Sequence, residues 1–506
     1  MSTQNQLLDS LKTDHLQEDL KGKSVRGGVV ALSSQGAQFL IQSVATIVLA
    51  RILTPADFGI VAMVTAITSL ASAFADLGLS EATIQRKEIT HDQVSVLFWL
   101  NTAIGLGLTL ITASLAPVFA WFYREPRLVS ITLLLSLTFI IGGLRVQPDA
   151  LLKRQMRFKS IAMRDVACYA VAVPTAIVLA LRGIGYWALV ALPLTLNLTQ
   201  MMLSWVMVKW RPGLPRRHTG VGSMVVFGGT VAASYLTITL NRSVDNILIG
   251  WYWGAAPLGL YSRAYNLLML PVRQLNAPAS SVAIPAFSRI QSDPERLARY
   301  YLGAISLVTW ISAPLFGFLF VAAEPVIVLI LGAQWRDAAP VFQFLTISAL
   351  GQLLLESTIW LLVSRGESKR LLKLLLIISP VIAASFAIGL PFGIKGVALC
   401  FSCVLLAILP WILNFAFQGT NLTLPRLVRA LLYPVTLSLI GILFAKLALH
   451  SIGPTRIPSR LFVASMGFAA AFGLSALVPS VREEILSFRG LLSDLRLSGR
   501  TLSAVS

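Results

Sequence analysis

The stretch LVSITLLLSLTFIIGGLRVQPDALLKRQMRFK, residues 128–159, decides the class of this fold. Residues 128–150 are mostly apolar, and a helix of about 20 such residues spans a lipid bilayer. Four cations follow within seven residues, namely Lys153, Arg154, Arg157 and Lys159. Clusters of Lys and Arg beside a membrane helix are typical of the cytoplasmic face. The stretch therefore predicts a transmembrane helix whose C-terminal end lies in the cytoplasm.

The composition of the whole chain extends this prediction. Of its 506 residues, 56% are hydrophobic and only 12% are charged, which is about half the charged share of a soluble domain. The mean hydropathy of +0.77 excludes a soluble enzyme, a disordered chain and a fibrous repeat. The formal net charge is +19, but the Lys and Arg residues occur in short groups between apolar runs. Such groups are typical of membrane loops, so no nucleic-acid partner is predicted.

Fourteen apolar segments are long enough to be membrane spans. They lie near residues 29–50, 57–76, 94–122, 128–150, 162–181, 186–208, 223–250, 258–282, 300–323, 338–363, 374–391, 396–417, 430–449 and 461–479. The segments between them that fall on one side hold 28 of the 41 Lys and Arg residues. Because positive charge accumulates on the cytoplasmic side, both termini are predicted to lie in the cytoplasm.

Four short motifs recur in the same order about 200 residues apart, which indicates an internal repeat of the kind common in transporters. The pairs are Ala56-Asp57-Phe58-Gly59 and Ala256-Pro257-Leu258-Gly259, Pro117-Val118-Phe119 and Pro314-Leu315-Phe316, Glu125-Pro126 and Glu324-Pro325, and Gly183-Ile184-Gly185-Tyr186-Trp187-Ala188-Leu189 and Gly393-Ile394-Lys395-Gly396-Val397-Ala398-Leu399. The fold class predicted is all-α and integral to the membrane, with two pseudo-symmetric six-helix lobes that enclose a central cavity.

The predicted organisation has five parts. They are a cytoplasmic tail at 1–27, an N-lobe at 28–219, a C-lobe at 220–417, two extra helices at 418–479 and an amphipathic cytoplasmic tail at 480–506.

Polar side chains recur at helical spacing within several predicted spans. A charge near the bilayer centre costs about 2.5–3.5 kcal/mol, so these residues are expected to face a wet cavity or each other. The candidates for substrate contact are Arg145, Arg242, Arg273, Asn241, Asn266, Gln38 and Gln42. The candidates for coupling or charge pairing are Asp76, Asp245 and Glu356. The alternative is that pairs such as Arg145 and Asp149, or Arg242 and Asp245, only neutralise each other and pack helices together.

Residues that could indicate catalysis, a metal site or a cofactor lack the spacing or the structural context that each function requires. The four histidines are scattered over loops and termini without metal-ligand spacing, so no metal is predicted. The stretch Gly183–Ala188 fits the pattern G-x-G-x-x-A, but it links two apolar spans rather than a strand and a helix. The sequence therefore predicts neither a cofactor nor an enzyme.

Several stretches resemble polysaccharide flippases. They are Ala50-Arg51-Ile52-Leu53-Thr54-Pro55-Ala56-Asp57-Phe58-Gly59, Asp76-Leu77-Gly78-Leu79, Ile84-Gln85-Arg86-Lys87, Leu97-Phe98-Trp99-Leu100-Asn101 and Arg154-Gln155-Met156-Arg157-Phe158. The chain most resembles the colanic-acid-exporter-like branch of the multidrug/oligosaccharidyl-lipid/polysaccharide exporter superfamily. The resemblance covers about residues 25–480 and is strongest in the first 190.

The resemblance implies a MATE-like transporter of fourteen helices in the bacterial inner membrane. Such proteins move undecaprenyl-pyrophosphate-linked oligosaccharide units from the cytoplasmic to the periplasmic leaflet. The partners expected are this lipid-linked oligosaccharide and membrane lipids, with a polysaccharide polymerase and a chain-length regulator as further candidates. Guanidinium groups match a pyrophosphate with bidentate hydrogen bonds, which favours Arg242, Arg273 and Arg145 as headgroup contacts.

Two other functions stay open. The first is a cation-coupled multidrug exporter of the same superfamily, but the first predicted span carries glutamines where a carboxylate would be needed. The second is a membrane polysaccharide polymerase or glycosyltransferase, but the predicted outer connections are short.

Overall fold

Helices are the only regular secondary structure among the residues that the computed structural model describes, which are 20–72, 74, 78–86, 89–215, 243–453 and 456–475. The helices from the first half of the chain are α1 (Leu20–Ile52), α2 (Pro55–Ser72), α3 (Leu79–Gln85), α4 (His91–Ser114), α5 (Ala116–Tyr123), α6 (Leu128–Arg154), α7 (Phe158–Leu181), α8 (Trp187–Met207) and α9 (Val244–Trp253). Those that follow are α10 (Ala255–Arg289), α11 (Pro294–Val321), α12 (Ala323–Leu331), α13 (Ala339–Ser364), α14 (Ser368–Gly389), α15 (Gly393–Phe417), α16 (Leu424–Ile452) and α17 (Ile457–Ser475). Short 3₁₀ turns occupy Ala333–Ala338 and Leu390–Phe392.

The helices are those of a multi-pass membrane protein. Within the described ranges, nine helical segments are long and apolar enough to cross a membrane. Helices α1 and α10 have 33 and 35 residues but are more polar than this set. The predicted span at 223–250 lies mostly in residues 216–242, outside the described part of the chain, so the count of fourteen stays a prediction.

Two predicted span boundaries are corrected by local chemistry. The predicted span 94–122 is divided, because α4 ends at Ser114 and α5 begins at Ala116, with Pro117 in its first turn. Proline fits a first helical turn, where no amide hydrogen is needed. The predicted span 300–323 begins six residues earlier, at Pro294, because the Asp293 carboxylate accepts a hydrogen bond from the Arg296 amide at 3.0 Å and caps α11.

The chain divides into two compact units, Met1–Gly259 (unit 1) and Leu260–Ser506 (unit 2). In unit 1, α6 packs against α4 and α8, and α7 packs against α8 and α1. In unit 2, α13 packs against α11 and α15, and α14 packs against α15. The same order of neighbours within each unit supports the predicted repeat. The predicted lobe boundary at 219/220 lies outside the described residues and stays a prediction.

Two of the four repeated motifs occupy equivalent places in the structure. Gly183 and Gly393 have φ of +75° and +76°. Gly183 lies in the connection that leads into α8, and Gly393 is the first residue of α15. Such a left-handed φ suits glycine because it has no Cβ. Gly59 and Gly259 lie in the first turns of α2 and α10, where the two helices touch. A Cβ on Gly59 would lie 1.7 Å from the Ala255 carbonyl oxygen, and a Cβ on Gly259 would lie 1.8 Å from that of Pro55.

The other two motif pairs are wrong as repeat equivalents. Pro117 stands in the first turn of α5, whereas Pro314 lies inside the long helix α11. Glu125 follows α5, whereas Glu324 begins α12. Pairs of two or three residues are too short to fix a register, and proline is common within membrane helices as well as at their ends.

Candidate functional site

A cavity of about 390 Å³ opens within unit 1, where the last turn of α2, the start of α3, and helices α6 and α8 approach one another. Its volume is that of a ligand site rather than of a packing defect. The lining consists of Ser72, Ser80, Thr138, Phe139, Gly142, Arg145, Val146, Asp149, Ala150, Lys153 and Asn197. Most of these residues lie on α6, three or four positions apart, because this spacing presents side chains on one helix face.

Arg145, a predicted substrate contact, lines this cavity. Its Nε lies 3.3 Å from Oδ2 of Asp149, one helical turn further along α6. Its Nη1 donates a hydrogen bond to Oε1 of Gln200 on α8. The side chains of Arg145 and Asp149 are 24% and 19% exposed, so this pair is accessible from the cavity. Nη2 of Arg145 has no recorded partner among the described residues, which leaves guanidinium hydrogens for a ligand.

Arg164, near the start of α7, holds Asp149 from the other side. Only 5% of its side chain is exposed. Its Nη1 donates to Oδ1 of Asp149 and, at 2.7 Å, to Oγ of Ser204. Its Nη2 lies 2.8 Å from Oδ1 of Asp165. Ser204 in turn donates to Oδ1 of Asp149 at 2.7 Å. Asp149 is therefore fixed independently of Arg145.

Lys153 adds a second cation to the cavity lining. It is exposed on the last turn of α6, and no hydrogen bond or ion pair of its ammonium is recorded within the described ranges. Arg145 and Arg164 are balanced by Asp149 and Asp165, so Lys153 leaves this group of five charges with a net charge of +1. The cavity is thus suited to an anion.

Neutral groups of the lining mainly offer acceptor atoms. The hydroxyls of Ser72 and Thr138 donate to the carbonyl oxygens of Thr68 at 2.9 Å and Leu135 at 2.6 Å. The amide nitrogen of Asn197 donates to the Pro193 carbonyl oxygen at 2.8 Å. Because the hydroxyl hydrogens of Ser72 and Thr138 are used within their own helices, their oxygens remain as acceptors, which sugar hydroxyls can satisfy. Asn197 keeps its carbonyl oxygen and one amide hydrogen.

The predicted glutamines of α1 form contacts with other side chains. Gln38 donates to Oγ of Ser34 on its own helix at 2.9 Å. Gln42 donates to the Tyr169 hydroxyl of α7, beside the apolar contacts of Ala45 with Tyr169 and Val173. Gln42 thus connects α1 to α7.

The predicted residues of unit 2 lie on two helices, α10 and α13. Asn266 and Arg273 are both exposed on α10. Glu356 on α13 accepts a hydrogen bond from Nδ2 of Asn276 at 3.3 Å, and Oδ1 of Asn276 accepts one from Trp360 at 3.0 Å. This contact joins α13 to α10.

The remaining predicted residues lie at or beyond the limits of the described chain. Asp245 is buried in the first turn of α9, and its Oδ1 accepts a hydrogen bond from the Asn246 amide at 2.7 Å. Asn241, Arg242 and Asp76 lie outside the described residues, so their roles stay predictions.

A separate ion pair stands at the other end of α6. Arg127 donates from Nε and Nη2 to the two carboxylate oxygens of Glu125, at 2.8 Å each. These hydrogen bonds hold the pKa of Glu125 below its ordinary value. The pair orders the α5–α6 connection and has no part in the cavity.

Comparison with known protein families identifies the family of this chain. The profile of the family described as "Polysaccharide biosynthesis protein" matches residues 48–340, which is more than half of the chain. This chain belongs to that family. Every residue that lines the unit 1 cavity lies within the matched range.

Curated members of similar sequence come from several bacteria. The lipopolysaccharide biosynthesis protein WzxC of Escherichia coli is 28% identical over 60% of this chain and 62% of its own length. The teichuronic acid biosynthesis protein TuaB of Bacillus subtilis is 26% identical over 60% and 63%. The succinoglycan biosynthesis transport protein ExoT of Rhizobium meliloti is 25% identical over 63% and 65%. The alignment spans less than two thirds of each of these relatives.

Solved structures share the fold of this family member. The lipid II flippase MurJ, in an inward closed conformation, superposes with a TM-score of 0.66 at 13% identity, over 89% of this chain and 99% of that one. An inward-facing multidrug resistance MATE family transporter gives a TM-score of 0.54 at 16% identity, over 78% and 99%. The predicted MATE-like helical fold is therefore confirmed.

Proposed function

We propose that this chain is a flippase, not an enzyme, and that it moves lipid-linked oligosaccharide units across a bacterial membrane for surface polysaccharide synthesis. The observation that carries the proposal is the cavity of unit 1, which presents Arg145 and Lys153 within the residues that match the family. A phosphorylated headgroup needs such cations, and a sugar needs the acceptor oxygens that stand beside them.

The network around Asp149 favours reversible binding of a phosphate. When a headgroup phosphate binds the guanidinium of Arg145 in place of Asp149, the Asp149 carboxylate keeps its hydrogen bonds to Arg164 and Ser204. The exchange therefore leaves no buried carboxylate unpaired, which would otherwise be costly. The nearby negative charge of Asp149 also weakens the bound state. A transported group has to be released, so moderate affinity suits this role.

The finer features of the proposal come from the sequence. The carrier lipid is undecaprenyl pyrophosphate, the location is the bacterial inner membrane, and both termini are cytoplasmic. This orientation puts the cavity near the cytoplasmic face, because Lys153 and the start of α3 belong to segments predicted to lie there. Arg242, Arg273, Asn241 and Asn266 are proposed as further contacts, with Asp245 and Glu356 as their charge partners. A polymerase and a chain-length regulator would act on the product.

Transport in a deletion strain tests the charges directly. We expect Arg145→Ala and Lys153→Ala each to lower surface polysaccharide roughly tenfold, since a hydrogen bond to a charged group contributes about 1.5–3 kcal/mol. Lipid-linked units should accumulate in the same cells. Lys159→Ala is the matched control, because Lys159 is equally exposed at the start of α7 but does not line the cavity. Protein levels are compared by immunoblotting.

The opposite pattern would contradict the proposal. A normal amount of surface polysaccharide in both variants would show that the cavity has no role in transport. A deletion strain that gains drug sensitivity without accumulating lipid-linked units would instead favour the multidrug exporter.

A further inference from the structure

A second polar cavity, of about 430 Å³, lies within unit 2 and belongs to none of the predicted sites. It is formed where α11 ends, where α12, α13 and α17 begin, and beside the last turns of α16. The lining consists of Val321, Ala322, Ala323, Glu324, Pro325, Arg336, Asp337, Ala339, Pro340, Gln343, Leu449, Arg460 and Ala464. Several of these helices are predicted spans, so their common ends place the cavity at a membrane surface.

One carboxylate in this cavity joins two arginines from different elements. Oε1 of Glu324 lies 3.3 Å from Nε of Arg336, and its Oε2 lies 3.0 Å from Nη1 of Arg460. The side chains of Arg336 and Arg460 are 62% and 38% exposed. Exposed ion pairs add about 0–1 kcal/mol to stability, so folding alone does not account for this arrangement. The triad carries a net charge of +1 and keeps unused guanidinium donors.

Asp337 supplies a separate negative charge in the same lining. It is exposed in the 3₁₀ turn that follows α12, and no hydrogen bond or ion pair of its carboxylate is recorded with another described residue. The lining of this cavity thus contains both the positive triad and the Asp337 carboxylate. The lining charges sum to zero, in contrast to the net positive charge of the unit 1 cavity.

The rest of the lining suits the glycerol and acyl portion of a lipid. Ala322, Ala323, Ala339 and Ala464 are buried, so the floor is made of small apolar side chains. Ile452 on α16 and Phe462 on α17 are 65% and 66% exposed beside the cavity helices. Exposed apolar side chains at the ends of membrane helices contact acyl chains at low cost.

We infer that this cavity binds the headgroup of a zwitterionic phospholipid that carries a primary amine, such as phosphatidylethanolamine. The phosphate accepts hydrogen bonds from Arg336 and Arg460, which present the planar donors that match phosphate oxygens. The ammonium donates to Asp337. The bound lipid joins α17 to α12 and α13 and so stabilises the packing of the C-terminal helices within unit 2.

Lipid retention by the purified full-length protein tests this inference. In native mass spectrometry with titrated lipids, we expect phosphatidylethanolamine to be retained several-fold more than phosphatidylglycerol or phosphatidylcholine. Arg460→Ala and Arg336→Ala should each lower its retention, whereas Asp337→Asn should remove the preference for the amine. Arg456→Ala is the control, because Arg456 is exposed four residues before Arg460 and does not line the cavity.

Three results would overturn the inference. The first is equal retention of the three lipids by the wild type, and the second is an unchanged preference for phosphatidylethanolamine in Asp337→Asn. The third is that undecaprenyl phosphate is retained more strongly than phosphatidylethanolamine and to the same extent in the wild type and in Asp337→Asn. Asp337→Asn alters only an exposed group without recorded contacts, so its fold is expected to survive. The measurement involves no transport, so its failure leaves the proposed flippase activity intact.

Discussion

Arg145 and Arg164 bind the same carboxylate but differ in what surrounds them. Arg164 is 5% exposed and is held by Asp149, Asp165 and Ser204, whereas Arg145 is 24% exposed and faces the cavity. A buried cation with two carboxylate partners fixes structure, because its loss leaves negative charges without a partner. An accessible cation that shares its partner can exchange that partner for a ligand. Arg164 therefore contributes to stability, whereas Arg145 is available to bind a ligand.

Replacement of each arginine should show this separation. We expect Arg164→Ala to lower the free energy of unfolding by about 3 kcal/mol or more, since removal of one partner leaves Asp165 and part of Asp149 unpaired. Arg145→Ala should have a much smaller effect on the free energy of unfolding, because Asp149 remains bonded to Arg164. Thermal unfolding of the detergent-solubilised protein measures both. The double variant Arg164→Met with Asp149→Asn should recover part of the loss, and equal melting of both single variants would contradict the assignment.

The sequence predicts the partners of a residue only where they share a helix. Arg145 and Asp149 are four residues apart on α6, so their pairing follows from helical geometry. Arg164 lies at the start of the predicted span 162–181, where the sequence changes from charged to apolar. Its bonds join α7 to α6 and α8, and no spacing within one helix reveals them. The adjacent pair Arg164-Asp165 at the start of an apolar run was the available signal.

Helices α4 and α6 approach closely through glycine, next to residues of α6 that line the cavity. A Cβ on Gly143 would lie 2.5 Å from the Asn101 carbonyl oxygen, and one on Gly105 would lie 2.6 Å from that of Phe139. Gly142, next to Gly143, lines the cavity and has nothing within 4 Å of such a Cβ. The two neighbouring glycines thus have different roles. Gly143 allows α4 to approach α6 closely, whereas Gly142 leaves space open in the cavity.

Alanine at these two neighbouring positions should act in opposite directions. Gly143→Ala forces α4 and α6 apart, and we expect it to destabilise the protein by about 1–3 kcal/mol. Gly142→Ala should be neutral or stabilising by up to about 1 kcal/mol, because alanine favours a helix interior over glycine. The two melting temperatures are compared under identical conditions. A loss of stability in Gly142→Ala as large as in Gly143→Ala would contradict the described crossing.

The sequence predicts helix existence better than helix boundaries. Long apolar runs identify the spans because the bilayer fixes their length. The interruption at Leu115 and the early start of α11 depend on single residues, Pro117 and Asp293, whose effect is local. Two of the four repeat motifs fail for a related reason. These motifs are only two or three residues long, and the two members of each pair stand at different places in their units. Pro117 lies in the first turn of α5, whereas Pro314 lies inside α11. Glu125 follows α5, whereas Glu324 begins α12.

Charge and hydropathy predict the orientation of the chain in its membrane, independently of any site. The predicted cytoplasmic segments hold 28 of the 41 Lys and Arg residues, and this bias is seen in each unit by itself. Membrane class and family could therefore be predicted from the sequence. The cavities could not, because each is formed by three or more helices that are distant in sequence.

The orientation predicts which end of a helix meets an external reagent. Lys159 and Arg182 are exposed at the two ends of α7, and Lys369 and Lys395 are exposed at and beyond the two ends of α14. In a variant whose native cysteines, Cys168, Cys400 and Cys403, are replaced by alanine, a membrane-impermeant thiol reagent is added to spheroplasts. We expect labelling of Arg182→Cys and Lys395→Cys. Lys159→Cys and Lys369→Cys should react only after lysis, because the clustered cations around them predict a cytoplasmic location for those ends. The reverse pattern in α14 would invert the assigned topology of unit 2. The reverse pattern in α7 would invert that of unit 1 and would put the Lys153 cavity on the wrong side for a cytoplasmic donor of lipid-linked sugars.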